Sequence, residues 1–125
     1  MISDTEAAEL AAELAVPEVG ARVAMLWVLV EDPTGHPVVR AAVEALLDDR
    51  RAAMLQAPIQ IGEVRWLAAH ALAAERKAAG IDDPVRLTDV IGPVALTDLP
   101  GHGTPIARFE QGRAAGLLPL ENLEC

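Results

Sequence analysis

Residues 17–31 read PEVGARVAMLWVLVE, and the fold class turns on them. The segment 23–30, VAMLWVLV, is an unbroken apolar run. Such a run fits a strand buried on both faces, or a helix buried all round, and periodicity does not separate the two. Met, Leu and Ala favour helix, and so does the length of the segment. Read as a helix, it is expected to be the most buried element of a mostly α chain.

The flanks agree with a helical reading. Ser3 and Glu6 have the spacing of a capping box, and Ala7, Leu10, Ala11 and Leu14 then share one face over 4–16. Glu6, Glu9 and Glu13 take the opposite face. Beyond the turn DPTGHP at 32–37, a third helix is expected over 37–55. Val39, Val43, Leu46 and Leu47 point inward, with Asp48, Asp49, Arg50 and Arg51 in water. APIQIG at 57–62 breaks it. Residues 62–79 repeat the pattern, with Val64, Leu67, Ala68, Ala71 and Leu72 in line and Gly80 placed to end the helix. Thr104-Pro105 opens a fifth helix, which Gly116 closes.

Between these helices, 82–104 is rich in Pro, Gly, Thr and Asp. It contains VRLTDV and VALTDL, nine residues apart. Each copy alternates apolar residues and then turns at Thr-Asp, which predicts a small hairpin. Asp89 and Asp98 do not follow a calcium-loop spacing. The expected architecture is a compact bundle, or a short stack, of about five helices in a single domain of 125 residues.

LVEDPTGHPVVRAAVEALLDD at 29–49 resembles the turn and second helix of a HEAT/armadillo-type helical repeat. APIQIGEVRWLAAHALAAE at 57–75 supplies a second instance. Pro33, Val39, Arg40 and Leu47 recur as Pro58, Val64, Arg65 and Leu72, each 25 positions on. The resemblance covers about residues 29–80 and implies a scaffold that binds other macromolecules. It carries over no catalytic residue.

Composition narrows the chemistry. Aromatic residues make up 2% of the chain, and the hydrophobic share is 52%. Lys occurs once, against nine Arg, a bias of GC-rich bacterial genomes. The net charge of −9 argues against direct binding to a nucleic-acid backbone and suits a basic partner. Cys125 is the lone cysteine, so no internal disulfide and no zinc cluster are expected. No signal-peptide pattern opens the sequence, and 23–30 is too short for a bilayer; a cytoplasmic location is expected.

No nucleophile elbow, Walker loop or dinucleotide fingerprint is present, and Ser3 is the only serine. His36, His70 and His102 lack metal-ligand spacing, so no metal, cofactor or catalytic residue is assigned. His70 is expected in or beside the core, and His102 in an open Gly-flanked loop. Arg40 and Arg65 each follow a turn and open a helix, where a bidentate bond to a carboxylate would anchor it. Trp27 and Trp66 are candidate core or interface residues.

The expected function is a non-catalytic protein–protein interaction module, an adaptor or partner subunit of a bacterial complex. Two alternatives stay open. One is a small enzyme or ligand-binding protein using His70 or His102 with nearby carboxylates. The other is an acidic inhibitor or immunity-type protein that neutralises a basic partner. The apolar surplus predicts a homodimer or an obligate heteromer. No membrane association is expected.

Overall fold

The computed structural model describes residues 2–56, 60–81, 94–95, 99 and 101–117. The protein is mostly helical, with a small antiparallel sheet. Helix α1 spans Asp4–Ala15, and its first turn is capped by Ser3, whose hydroxyl accepts the Glu6 N–H at 3.1 Å. Its inward stripe buries Ala7 and Leu14. The chain leaves the helix at Val16, in the extended conformation favoured before a proline.

The deciding stretch is helical: α2 runs Val19–Glu31. It is not, however, the most buried element. Only Leu26 and Leu29 are fully buried in it, and Val28 is 53% exposed. The reason is position. α2 lies against α1, α4 and β1, and its remaining side faces outward however apolar its sequence is. The centre is occupied by α4 (Val64–Ala78), which touches α2, α3 and the sheet and buries residues all around its first two turns.

Helix α3 (Pro37–Glu44) is shorter than the sequence pattern suggests. It tightens into a 3-10 turn at Ala45–Asp48, and residues 52–55, expected to be helical, belong to a strand. Asp49 explains the break. Its carboxylate accepts the Arg51 N–H at 3.2 Å, a local side-chain bond that competes with helix continuation.

Strand β1 (Ala52–Gln56) pairs antiparallel with β2 (Gln60–Glu63), with Ala53 opposite Gly62 and Met54 opposite Ile61. β3 (Val94–Ala95) adds to the far side of β2, giving the order β1-β2-β3. β3 is therefore the start of the second VALTDL copy. The first copy, the rest of the expected hairpin, and Cys125 lie outside the described residues.

β1 alternates between two cores. Ala53 and Leu55 join the helical core with Leu26, Leu29, Val43 and Trp66. Ala52, with Met54 beside it, joins Ile61, Leu99 and Phe109 in a second cluster under α5 (Pro105–Ala114). Both faces of the strand are covered, which is why its sequence shows no polar alternation. Helices α4 and α5 end alike. Gly80 and Gly116 take φ of 72° and 70°, and the next residue's N–H returns to Arg76 O and Gly112 O at 2.9 Å. Among the described residues, no helix is long and apolar enough to cross a membrane.

Candidate functional site

The densest charged cluster centres on Glu63, the last residue of β2 and the cap position of α4. Its side chain is fully buried, yet three arginines reach it from separate parts of the chain. Arg65, in the first turn of α4, donates its Nε–H to Oε1. Arg113, in the last turn of α5, donates to Oε2 at 2.7 Å. Arg50, from the loop before β1, spans both oxygens at 3.4 Å. The side chains of Arg65, Arg113 and Arg50 are 9%, 29% and 61% exposed.

Aromatic faces steady two of the arginines. Arg65 lies 5.7 Å from the Trp66 ring centre, and Arg113 lies 5.5 Å from that of Phe109. Arg113 also donates to the Arg50 carbonyl. Burial pushes the Glu63 carboxyl up, but the bonds from Arg65, Arg113 and Arg50 outweigh it and hold it below its usual range. A carboxylate so held is a weak base and has no proton to donate. Its physical role is to join α4, α5 and the 49–51 loop.

A second knot forms at Asp49. It accepts from Arg51 at 2.7 and 2.9 Å, and from Arg22 at 3.1 Å. The Arg51 guanidinium is the main cause of its lowered carboxyl pKa; burial opposes this, and the Arg51 N–H and Arg22 add to it. Arg22 also donates to the carbonyls of Leu14 and Ala15, while Arg51 reaches that of Pro17. Arg22 thus satisfies carbonyls left open at the end of α1, and Arg51 ties down the link between α1 and α2. An open cleft of about 530 Å³ lies beside this knot, floored by Leu14, Pro17, Ala42 and Leu46.

Glu75, in the fourth turn of α4, is a second fully buried carboxylate. It accepts the N–H groups of Thr34 and Gly35 and the Thr34 hydroxyl, so it fixes the loop that leads into α3. Gly35 is required there, with φ at 69°, because a Cβ would stand 3.2 Å from the Ala78 carbonyl group. His36 follows as the helix cap. Its Nδ1 accepts the Val38 N–H at 3.1 Å, which leaves Nε2–H to donate to Asp4 at 2.8 Å.

The sequence-derived candidates fall in different places. Arg65 meets a carboxylate, Glu63, and is buried. Arg40 does not: it donates to the Gly35 carbonyl at 2.7 Å and pairs with no carboxylate among the described residues. Trp27 is half-buried and ties α2 to β1 through Nε1–H and the Leu55 carbonyl at 2.6 Å. Trp66 is a core residue whose Nε1–H has no partner among the described residues. His70 is exposed on α4, contrary to its expected place in or beside the core, because it falls opposite the stripe formed by Leu67, Ala68, Ala71 and Leu72. His102 is exposed too, in a loop held by Gln111, which donates to the His102 carbonyl at 2.9 Å.

Glu63, Glu75, Arg22, Arg50 and Arg113 were not among those candidates, and Asp49, a plausible partner for Arg40 or Arg65 by sequence, pairs instead with Arg22 and Arg51. One signal for Glu75 is visible in the sequence: it continues the apolar spacing of Ala68, Ala71 and Leu72, so it occupies a core position. Glu63 and Arg113 are 50 positions apart, and nothing local links them.

Among the described residues, no three His, Cys, Asp or Glu side chains gather as metal ligands. Comparison with protein-family models, with curated proteins and with solved structures finds no match for this chain.

Proposed function

We propose that the protein is a non-catalytic protein-binding module, an adaptor or partner subunit, that docks a basic partner against its acidic exterior. The observation that supports this is the sorting of charge. Arg22, Arg40, Arg50, Arg51, Arg65, Arg108 and Arg113 all donate to acceptors within the chain. The carboxylates of Glu6, Glu9, Glu13, Glu18, Glu31, Asp32, Glu44, Asp48 and Glu110 are exposed. Among the described residues, most arginines are engaged by acceptors of the chain itself, while most carboxylates face water. Such a surface steers a basic protein and repels polyanions.

The reading includes a cytoplasmic location, in keeping with a single cysteine and no disulfide. A catalytic reading through His70 or His102 has less behind it. Both rings are exposed, and neither lies within salt-bridge distance of a carboxylate among the described residues.

The test is affinity purification at low ionic strength, identification of a stoichiometric companion, and reconstitution with the purified companion. Binding should weaken with added salt and with Glu6, Glu9 and Glu13 changed together to Gln. A companion whose binding ignores both changes refutes the acidic-face reading. Turnover of a substrate that depends on His70 or His102 refutes the non-catalytic one.

A further inference from the structure

Beyond the acidic exterior, one buried side chain serves two helices through its two ring nitrogens. His36 is 6% exposed and caps α3, where its Nδ1 accepts the Val38 N–H at 3.1 Å. Its Nε2–H donates to Asp4, in the first turn of α1, at 2.8 Å. The Val38 bond admits one protonation pattern. A ring nitrogen that accepts an N–H carries no proton, so the ring is neutral with its proton on Nε2. α3 depends on this cap more than a long helix would. It has eight residues, Pro37 at its start has no N–H, and the Val38 N–H is the first in the helix that needs an acceptor.

The elements that meet at this turn carry several other charges. On α1, Asp4 is the carboxylate bonded to the ring, and Glu6 faces water. On α4, Glu75 is taken up by Thr34 and Gly35, and the last turn adds Arg76 and Lys77. On α3 itself, Arg40 donates to the Gly35 carbonyl, and before the turn Glu31 and Asp32 are exposed. A second proton on the ring, at Nδ1, acts on its two bonds in opposite ways. It sets a donor against the Val38 N–H and the positive end of α3, so the cap is lost. It also makes the Asp4 contact a charge-assisted pair, which strengthens it.

We propose that His36 is a proton-operated switch between α3 and α1. With a neutral ring it caps α3 and also holds α1. With a charged ring it gives up α3, whose first turn opens, and keeps α1 through Asp4. The proton enters from the side of Asp4, whose carboxylate is fully exposed. Histidine is the side chain that ordinarily changes charge between pH 5 and 8. In that range Glu63 and Asp49 stay ionised, so the rest of the fold is undisturbed. The lost cap and the strengthened pair offset each other, so the change is local. The start of α3 responds, and overall stability stays level. The switch is independent of the acidic-face reading, since Glu6, Glu9 and Glu13 take no part in it.

Proton–nitrogen NMR of the full chain, taken from about pH 8 to about pH 5, tests it. At the upper limit the His36 ring should carry its proton on Nε2 alone. On acidification the Val38 amide should follow the titration of the His36 ring. It should lose about fivefold or more of its protection against exchange, the effect of losing a helix cap. Amides of β1 and β2, which hold no histidine, should not move. His36→Asn supplies a good cap that does not titrate, so it should keep the Val38 protection and abolish its pH dependence. Asp4→Asn removes the compensating charge, so the same acidification should lower its unfolding free energy, which the parent holds level. The proposal is overturned if Nδ1 carries the proton at the upper limit, or if the ring stays neutral to the lower one. It is equally overturned if Val38 ignores the ring's titration, or if the pH dependence persists in His36→Asn.

Discussion

Arg65 and Arg50 touch the same carboxylate, yet their worth to the fold should differ. Arg65 has a side chain 9% exposed and lies against Trp66, while that of Arg50 is 61% exposed and its bonds are long. Removing one partner of a buried ion pair costs about 3–5 kcal/mol, and an exposed pair is worth about 0–1 kcal/mol. Arg65→Ala should therefore lose about 3 kcal/mol in urea unfolding, softened because Arg113 and Arg50 still neutralise Glu63, and Arg50→Ala at most about 1 kcal/mol. Equal losses would mean that the Glu63 cluster is solvated as a unit. Arg65→Lys should recover only part of the loss, since Lys lacks the planar fork. The same carboxylates set an acid limit. Glu63 and Asp49 both have folded pKa values below their ordinary 4.5 and 3.8. A depressed carboxyl contributes stability that is complete above the unfolded pKa and lost as pH falls through the folded one. Unfolding free energy should thus be flat near neutrality and decline below about pH 4.5, with Glu63→Gln less stable at pH 7 and less sensitive to acid. An acid slope unchanged in Glu63→Gln would remove Glu63 from this account. Of these residues, Arg65 was legible in the sequence because it opens a helix after a turn. Glu63 was not, because its burial depends on α5 and the 49–51 loop closing over it.

At the scale of elements, helices were the legible part; of the strands, only β3 falls in the segment where a hairpin was expected, and it pairs with β2. The apolar spacing of α1, α4 and α5 follows one turn period, and their caps at Ser3, Gly80, Thr104 and Gly116 sit at sequence positions that announce them. β1 gave no such signal. Its face with Ala53 and Leu55 enters the helical core, and its other face packs under α5, so residues 52–55 are all apolar and read as a continuation of α3. Trp27 is what connects this hidden strand to the helical layer. Its indole donates to the Leu55 carbonyl of β1 from the middle of α2. Trp27→Phe keeps an aromatic ring but leaves that carbonyl without its donor, and should cost about 1–2 kcal/mol in denaturant unfolding. No change would mean that water replaces the indole freely. The glycines of the α3 entry and the α4 exit make a sharper contrast. Gly35 and Gly80 share a left-handed φ, but a Cβ at Gly35 meets the Ala78 backbone at 3.2 Å, and one at Gly80 meets nothing within 4 Å. Gly80→Ala should cost about 1 kcal/mol for backbone strain, and Gly35→Ala clearly more. Similar losses in both would show that the loop can move away from α4.

At the scale of the molecule, apolar content and charge pull in different directions. The hydrophobic share of 52% suggested more apolar surface than one small chain hides, and hence assembly. Much of that share is accounted for inside, by a helical core and a second cluster under α5. Among the described residues, the larger apolar side chains still exposed are Val16, Val28, Val38, Ile81 and Leu117, which come from separate elements and turns. Against them stands a net charge of −9, carried largely on the outside. Two copies brought together must crowd these carboxylates, while a basic companion relieves them. Screening falls off over about 10 Å at 0.1 M salt, so the repulsion should act at low ionic strength and fade as salt rises. The isolated chain should therefore scatter light as a 13.2 kDa monomer in dilute buffer. Any self-association should appear on adding salt, whereas the complex with a basic companion should loosen under the same change. A dimer that persists at low salt and dilution would mean that apolar burial outweighs the charge, and would favour a second copy over a basic protein as the partner.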